Sequence, residues 1–252
     1  MRPVTRRTAL AGLAATLALA TTNPALADDP AAIMARVDEQ RRSDTRRATM
    51  VMRIYPEIDS NRGMRELGLL NLGRGVDESF IEFRAPRNIA GLRVLDLDGA
   101  VRVFFPSTGR VRNISGRARQ GSVGGVGGDF TYEDMGGAGF ATDYTDFRLE
   151  GSDGQSWVIS GRPRARDSAY DRLVFHISRD TLVPLRIDYM SGGQQAKQLE
   201  ARNIRQVGGR HVAMHLIMRN YAEGSRTEIH TESIEWDVPV DAARFHPNRF
   251  HR

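Results

Sequence analysis

"LRVLDLDGAVRVFF", Leu92–Phe105, is the stretch that decides the fold. Two apolar-rich runs, Leu92 to Leu97 and Ala100 to Phe105, flank Asp98-Gly99, a residue pair that accepts the left-handed backbone of a two-residue turn. That combination predicts a β-hairpin. Downstream, Pro106-Ser107-Thr108-Gly109 reads as a turn and Val111 to Ile114 as the next strand. Upstream, Ser79 to Phe83 has the same character, and Met50, Met52 and Ile54 alternate with Thr49, Val51, Arg53 and Tyr55 at the period of two that marks a strand.

The pattern resumes further along the chain at Tyr144 to Glu150, Gln155 to Ser160, Arg172 to Ser178 and Leu185 to Met190, then at Gln194 to Val207, His211 to Arg219 and Arg226 to Val238. Ser152-Asp153-Gly154, Ser191-Gly192-Gly193 and Gly208-Gly209 separate neighbouring runs. About ten or eleven strands in meander order predict one large antiparallel sheet, and a sheet that wide curls or splits. Helix is scarce: Ala31 to Arg42 with Ile33, Met34 and Val37 as an apolar stripe, a short turn at Tyr132 to Met135, and Asp241 to Phe245. The expected class is mainly β with few helices (α+β).

Met1 to Ala27 places Arg2, Arg6 and Arg7 before a mild apolar run, Ala9 to Ala20, and ends in Ala25-Leu26-Ala27. This is the layout of a signal peptide cut after Ala27, leaving a single domain over 28–252. Arg6-Arg7 points to the twin-arginine route, with the ordinary secretory route as the other reading. The expected destination is the periplasm. Export strips three arginines, so the chain after Ala27 carries a net charge of only +2, and Lys197 is its one lysine. No dense basic stripe remains, so no nucleic acid is expected as a partner. There is no cysteine, hence no disulfide framework and no lipidated cysteine; the fold rests on its core.

Gly116 to Phe140 holds nine glycines in 25 residues and ends in the acidic and aromatic run Asp129-Phe130-Thr131-Tyr132-Glu133-Asp134-Met135. Glycine loses the most entropy on being fixed, so Gly121 to Gly128 predicts a loose connector. The expectation is a hinged lid, with Gly124, Gly125, Gly127 and Gly128 as its pliable part and Phe130, Tyr132 and Met135 as its anchoring end.

Conventional catalytic signatures are missing. Gly124-Gly125-Val126-Gly127-Gly128 lacks a following Gly-Lys-Ser/Thr and runs into Asp129, which repels phosphate. His211 and His215 share one strand face at a separation of roughly 13 Å, too far to hold one metal. No G-x-S-x-G elbow occurs. No catalytic residue, no metal site and no cofactor is therefore expected.

One apolar sheet face with methionines among its side chains, under little helix, predicts either a routine core or a hollow for a greasy ligand. The candidate lining residues are Met50, Met52 and Ile54, then Phe80 and Phe83, with Phe104 from the hairpin. Phe175 and Met190 follow, and Met214, Leu216, Met218 and Trp236 complete the set.

Phe105-Pro106-Ser107-Thr108-Gly109-Arg110-Val111-Arg112-Asn113-Ile114-Ser115-Gly116, followed by Gly128-Asp129-Phe130-Thr131-Tyr132-Glu133-Asp134-Met135, resembles the bacterial outer-membrane lipoprotein-sorting family with the LolA-like fold. The resemblance implies a strongly curved antiparallel half-barrel closed by short helices around an apolar cavity. It also implies a carrier that binds lipid or lipoprotein acyl chains and shuttles them toward the outer membrane without covalent catalysis. An inner-membrane exporter and an outer-membrane acceptor are the implied partners. A lipid- or lipoprotein-sensing adaptor of the same fold, working with an inner-membrane exporter or regulator, is the alternative.

Overall fold

The protein is described here by a computed structural model covering residues 29–124, 126–135 and 139–252. The leader reading of 1–27 and the lid candidate Gly125 lie outside the described residues. Helix α1 (Pro30–Arg41) begins at Asp29, whose side chain accepts from Ala31 N, and the proline sits in the first turn where no donor is needed. Its apolar stripe Ile33, Met34 and Val37 is buried.

Thirteen strands follow. They are β1 (Thr45–Tyr55), β2 (Arg65–Arg74), β3 (Glu78–Ala85), β4 (Arg93–Leu97), β5 (Ala100–Phe105) and β6 (Arg110–Ile114) in the first half of the chain. The second half holds β7 (Tyr144–Ser152), β8 (Ser156–Pro163), β9 (Arg172–Ser178), β10 (Pro184–Ser191), β11 (Gln194–Val207), β12 (Arg210–Asn220) and β13 (Ser225–Trp236). All belong to one antiparallel sheet in the order β6-β5-β4-β3-β2-β1-β13-β12-β11-β10-β9-β8-β7. Two meanders meet where the first strand pairs with the last, Met52 opposite Ile229. The edges β6 and β7 do not pair, so the sheet is open.

The hairpin that opened the sequence reading forms as expected. Leu97 pairs with Ala100, and Asp98 and Gly99 take φ of 51° and 78°, the left-handed pair of a type I′ turn. One strand, β2, is absent from the sequence expectation. Its stretch RELGLLNLGR carries two glycines and a central asparagine, which dilute the alternation that betrays a strand.

The chain travels from β6 to β7, from one edge of the sheet to the other, through the glycine-rich segment. Along the way it forms a 3-10 turn at Gly116–Gln120, helix α2 (Tyr132–Met135) and helix α3 (Phe140–Asp143). Asp38 of α1 accepts from Phe140 N at 2.9 Å and Ala141 N at 2.7 Å, and so supplies the acceptor that the start of α3 lacks. Among the described residues no helix is long and apolar enough to cross a membrane.

The expected helix at Asp241–Phe245 exists as a 3-10 turn, Ala242–Phe245, but it does not help to cover the helix-bearing face. Phe245 and Phe250 pack with Leu72, Phe80 and Leu95 into a second cluster on the opposite side of β2–β4.

Candidate functional site

Strand parity assigns the two faces. On the inner face Met50 and Met52 of β1 stand opposite Leu69 and Leu67 of β2, and Leu69 stands opposite Phe83 of β3. Across the central seam, Leu216 of β12 faces Ile229 of β13. The buried stripe of α1 belongs to this cluster, as do Phe130 and Tyr132 from the connecting segment.

The inner face is not filled throughout. A hollow of about 350 Å³ lies between it and the helices, within the usual size range of a small-ligand pocket. Met50, Met52, Leu69, Phe83, Leu216, Ile229 and Trp236 line it from the sheet, and Phe130, Met135 and Phe140 from the connecting segment. A second compartment of about 350 Å³ adjoins it and has a more polar wall, including Asp77, Asp96, Arg119, Glu133 and Asp143. The two share Arg41, Arg46, Phe130, Asp134, Met135 and Leu216.

Of the sequence candidates, Met50, Met52, Phe83, Leu216 and Trp236 therefore meet around one hollow. Ile54, Phe175 and Met218 are buried in the solid part of the same inner cluster. Phe175 is closed off by Phe140 and Tyr144, whose ring centroids lie 5.0 and 5.7 Å away. Met190 is half-buried and Met214 buried, and neither lines the hollow. Phe80 and Phe104 are corrections. Both are on the opposite face, where Phe80 is fully buried beneath the C-terminal cluster and Phe104 packs against it. Alternation separates the two faces of a strand but does not say which face a distant segment will cover.

Asp129 to Asp134 is the most heavily bonded segment around the site. Thr227 Oγ1 accepts from Asp129 N at 2.9 Å and donates to its carboxylate at 2.7 Å, while Ser225 Oγ donates to the other oxygen. Thr131 and Asp134 cap α2 reciprocally, each side chain accepting from the other's backbone N–H. Tyr132 Oη accepts from Gly124 N at 3.0 Å. Glu133 accepts from Ser168 Oγ and from Ala169 N. Asp134 is fully enclosed, with Lys197 Nζ at 2.9 Å and Tyr170 Oη donating at 2.8 Å. Lys197 also donates to the Asp129 carbonyl at 2.7 Å. The chain's one lysine thus pins both ends of the acidic run. Burial first, and the neighbouring Asp134 charge second, push the Tyr170 hydroxyl far above its ordinary range, so it remains a donor.

The glycine-rich part is more firmly seated than a loose connector. Val123 and Val126 are buried, and Arg65 donates to the Val126 carbonyl at 3.0 Å. A Cβ on Gly128, at φ 90°, would come within 3.1 Å of Ile54 and Thr227, so only glycine allows this approach to β1 and β13.

A second polar cluster was missed by the sequence reading. His215 and His230, directly paired across β12 and β13, stack at 4.0 Å, and each places Nε2 against Glu228 Oε2, at 3.1 and 3.2 Å. Among the described residues, His215, Glu228 and His230 form a group whose ligand atoms lie close enough together to hold a metal ion. Glu228 already bonds Arg226 through its other oxygen, and the cluster lies on the outer face, away from the hollow. Desolvation and the neighbouring His230 hold His215 below its ordinary pKa. The partner of His215 sits one strand over, a relation that spacing along one strand cannot reveal.

The sequence matches the profile of a family described as uncharacterized proteins over residues 75–252, more than half of the chain. It belongs to the DUF1329-like family. A crystal structure of a DUF1329 family protein from Desulfovibrio piger superposes with a TM-score of 0.78 at 22% identity, covering 90% of this chain and 99% of that one. A putative outer membrane lipoprotein-sorting protein domain from Vibrio parahaemolyticus gives 0.76 at 24%, with 90% and 100% covered. A LolA superfamily protein from Nitrosomonas europaea gives 0.70 at 17%, with 87% and 98% covered. At these identities the likeness establishes the fold that the Phe105–Gly116 and Gly128–Met135 motifs foreshadowed. No curated protein matches the sequence.

Proposed function

We propose that this member of the DUF1329-like family is a periplasmic carrier that takes the alkyl chain of a lipid or acylated lipoprotein into the inner-face hollow and releases it without covalent chemistry. The observation that carries this reading is the hollow itself, bounded by Met50, Met52, Leu69, Leu216 and Ile229 on a sheet whose opposite face is filled at β2–β4 by the C-terminal aromatics. Burying about 15 methylenes at roughly 0.8 kcal/mol each is worth some 12 kcal/mol relative to water before ordering costs, which offsets the comparable cost of taking the chain out of a membrane. The sheet curves around the hollow, and α1, α2 and α3 close it. Phe130 and Met135 form the floor of a lid whose Lys197–Asp134 pin holds the closed position. Residues 1–27 are the export leader and the rest is one carrier domain. An inner-membrane exporter as donor and an outer-membrane acceptor complete the route, in keeping with the lipoprotein-sorting name borne by the Vibrio parahaemolyticus relative.

Mass spectrometry of material that co-purifies with the protein from its native periplasm tests this. The reading expects alkyl-chain lipid or acylated protein near one equivalent. Recovery of the protein free of any alkyl compound, with no uptake when lipid is supplied, rejects it.

A further inference from the structure

Two guanidinium groups enter the hollow. Arg46 comes from the start of β1 and points to the same face as Met50 and Met52; Arg41 comes from the last turn of α1. Both border the apolar and the polar compartments. The Arg46 stem lies across its strand partner Gly73, where a Cβ would come within 2.7 Å of Nε and Cζ, so the missing side chain is the groove that seats it. Arg46 Nε donates to Asn71 Oδ1 at 3.2 Å, and Asn71 is itself held by Ser79 Oγ. Among the described residues no hydrogen bond occupies the two terminal nitrogens, and Arg46 lines the hollow.

Among the described residues no carboxylate lies within 4.0 Å of the Arg46 guanidinium. Burial, and then the like charge of Arg41, bring its pKa down to about 10. Arg41 is little better neutralised. Asp38 is 3.9 Å away and already accepts two backbone N–H bonds from α3, Asp143 acts on Arg41 as a second and weaker counter-charge, and the guanidinium rests over the Phe140 ring. The Arg41 side chain is 51% accessible and also lines the hollow. Asp134, which also borders both compartments, is held by Lys197. A guanidinium such as Arg46, with no carboxylate partner and a like charge nearby, is costly in a partly desolvated place, and an incoming anion relieves it. Arginine's planar fork suits a carboxylate or phosphate.

We propose that Arg46, assisted by Arg41, binds the anionic head of a single-chain amphiphile, a carboxylate or a phosphate monoester, whose alkyl tail lies along Met50, Met52, Leu69 and Ile229. This rests on the carrier reading and narrows it from any acyl chain to an acid-headed one. The inward positions of β1 from Arg46 to Met52 span roughly 20 Å at about 3.3 Å per residue, so head and tail are matched along one strand.

The test is calorimetric titration of the delipidated full chain with palmitate, hexadecyl phosphate, hexadecanol and inorganic phosphate, the amphiphiles kept below micelle formation. Palmitate or hexadecyl phosphate binds about tenfold to a hundredfold tighter than hexadecanol, as charge-assisted hydrogen bonds predict, and the tighter of the two names the head. Inorganic phosphate without a tail does not bind measurably. Arg46→Met brings palmitate and hexadecyl phosphate down to the affinity that the same variant shows for hexadecanol, and Arg46→Lys restores part of the difference. Should Arg46→Met fail to fold, Gly73→Ala, which pushes the Arg46 stem aside while keeping its charge, narrows the gap instead. Equal binding of palmitate and hexadecanol by the wild type overturns the anionic-head assignment and leaves the carrier reading standing. So does inorganic phosphate binding as tightly as either amphiphile. Binding of no alkyl compound at all removes the carrier reading and this assignment together.

Discussion

The two faces of the β2–β4 sheet region are built from the same alternating residues and end in opposite states. Outside, Leu72, Phe80 and Leu95 meet Phe245 and Phe250 from the C-terminal segment, and Phe80, Leu95 and Phe250 are fully buried. Inside, Leu69, Ile81 and Phe83 face helices and a connecting segment that leave part of their surface bordering a hollow. What differs is the cover. A short aromatic tail folds flat onto a sheet and fills it, as close packing demands. A segment crossing from edge to edge is held by polar anchors at Asp129, Glu133 and Asp134 and sends separate side chains, Phe130, Tyr132, Val123 and Val126 among them, onto the sheet.

Substitutions on the two faces should therefore separate stability from binding. The largest effect belongs to the filled face: Phe80→Ala should cost about 3–5 kcal/mol in chemical denaturation, with alkyl binding per folded molecule unchanged. Next comes the anchor. Lys197→Met strands the Asp134 carboxylate in an enclosed site and should cost about 3 kcal/mol, with hydrogen exchange rising over 129–135 before it rises elsewhere. On the hollow side, Met50→Ala should cost only about 1 kcal/mol, because this half-buried side chain already borders free space, yet it should alter alkyl affinity measurably. A Met50→Ala loss as large as that of Phe80→Ala would erase the contrast between the faces.

The smallest effect is a pH dependence on the outer face. His215 is held below its ordinary 6.5 in the folded state and Glu228 below its ordinary 4.5. In each case the unfolded chain binds the proton more readily, so stability is full above these ordinary values and declines as the pH falls through them toward the lowered folded ones. His215→Gln should flatten the upper part of that decline in pH-resolved thermal melts. A melt midpoint that climbs on acidification from pH 7 to 5 would contradict it.

What the sequence made legible was local. Asp98-Gly99 carries its turn in two residues, and β5, β9 and β11 match their expected limits at Ala100–Phe105, Arg172–Ser178 and Gln194–Val207. The apolar face with little helix above it was legible, but whether it was a filled core or a hollow was not. Nor was its membership, because Phe80 and Met52 look alike until the C-terminal aromatics choose a side. The acidic run stood out in composition, but its reason lies 63 residues away in Lys197. Arg46 was not among the lining candidates, since the groove that seats it depends on Gly73 in a strand that the pattern did not reveal.

The central claim is that an alkyl chain occupies the inner-face hollow, and the protein supplies its own reporter. It has two tryptophans. Trp236 borders the hollow, whereas Trp157 is buried in the solid cluster beneath Arg179. With Trp157→Phe to leave Trp236 as the only emitter, titration with a bromine-labelled long-chain fatty acid should quench its fluorescence saturably, near one equivalent, and unlabelled fatty acid should reverse the quenching. Fluorescence that stays constant through the titration, while the chain remains folded by circular dichroism, would contradict the account.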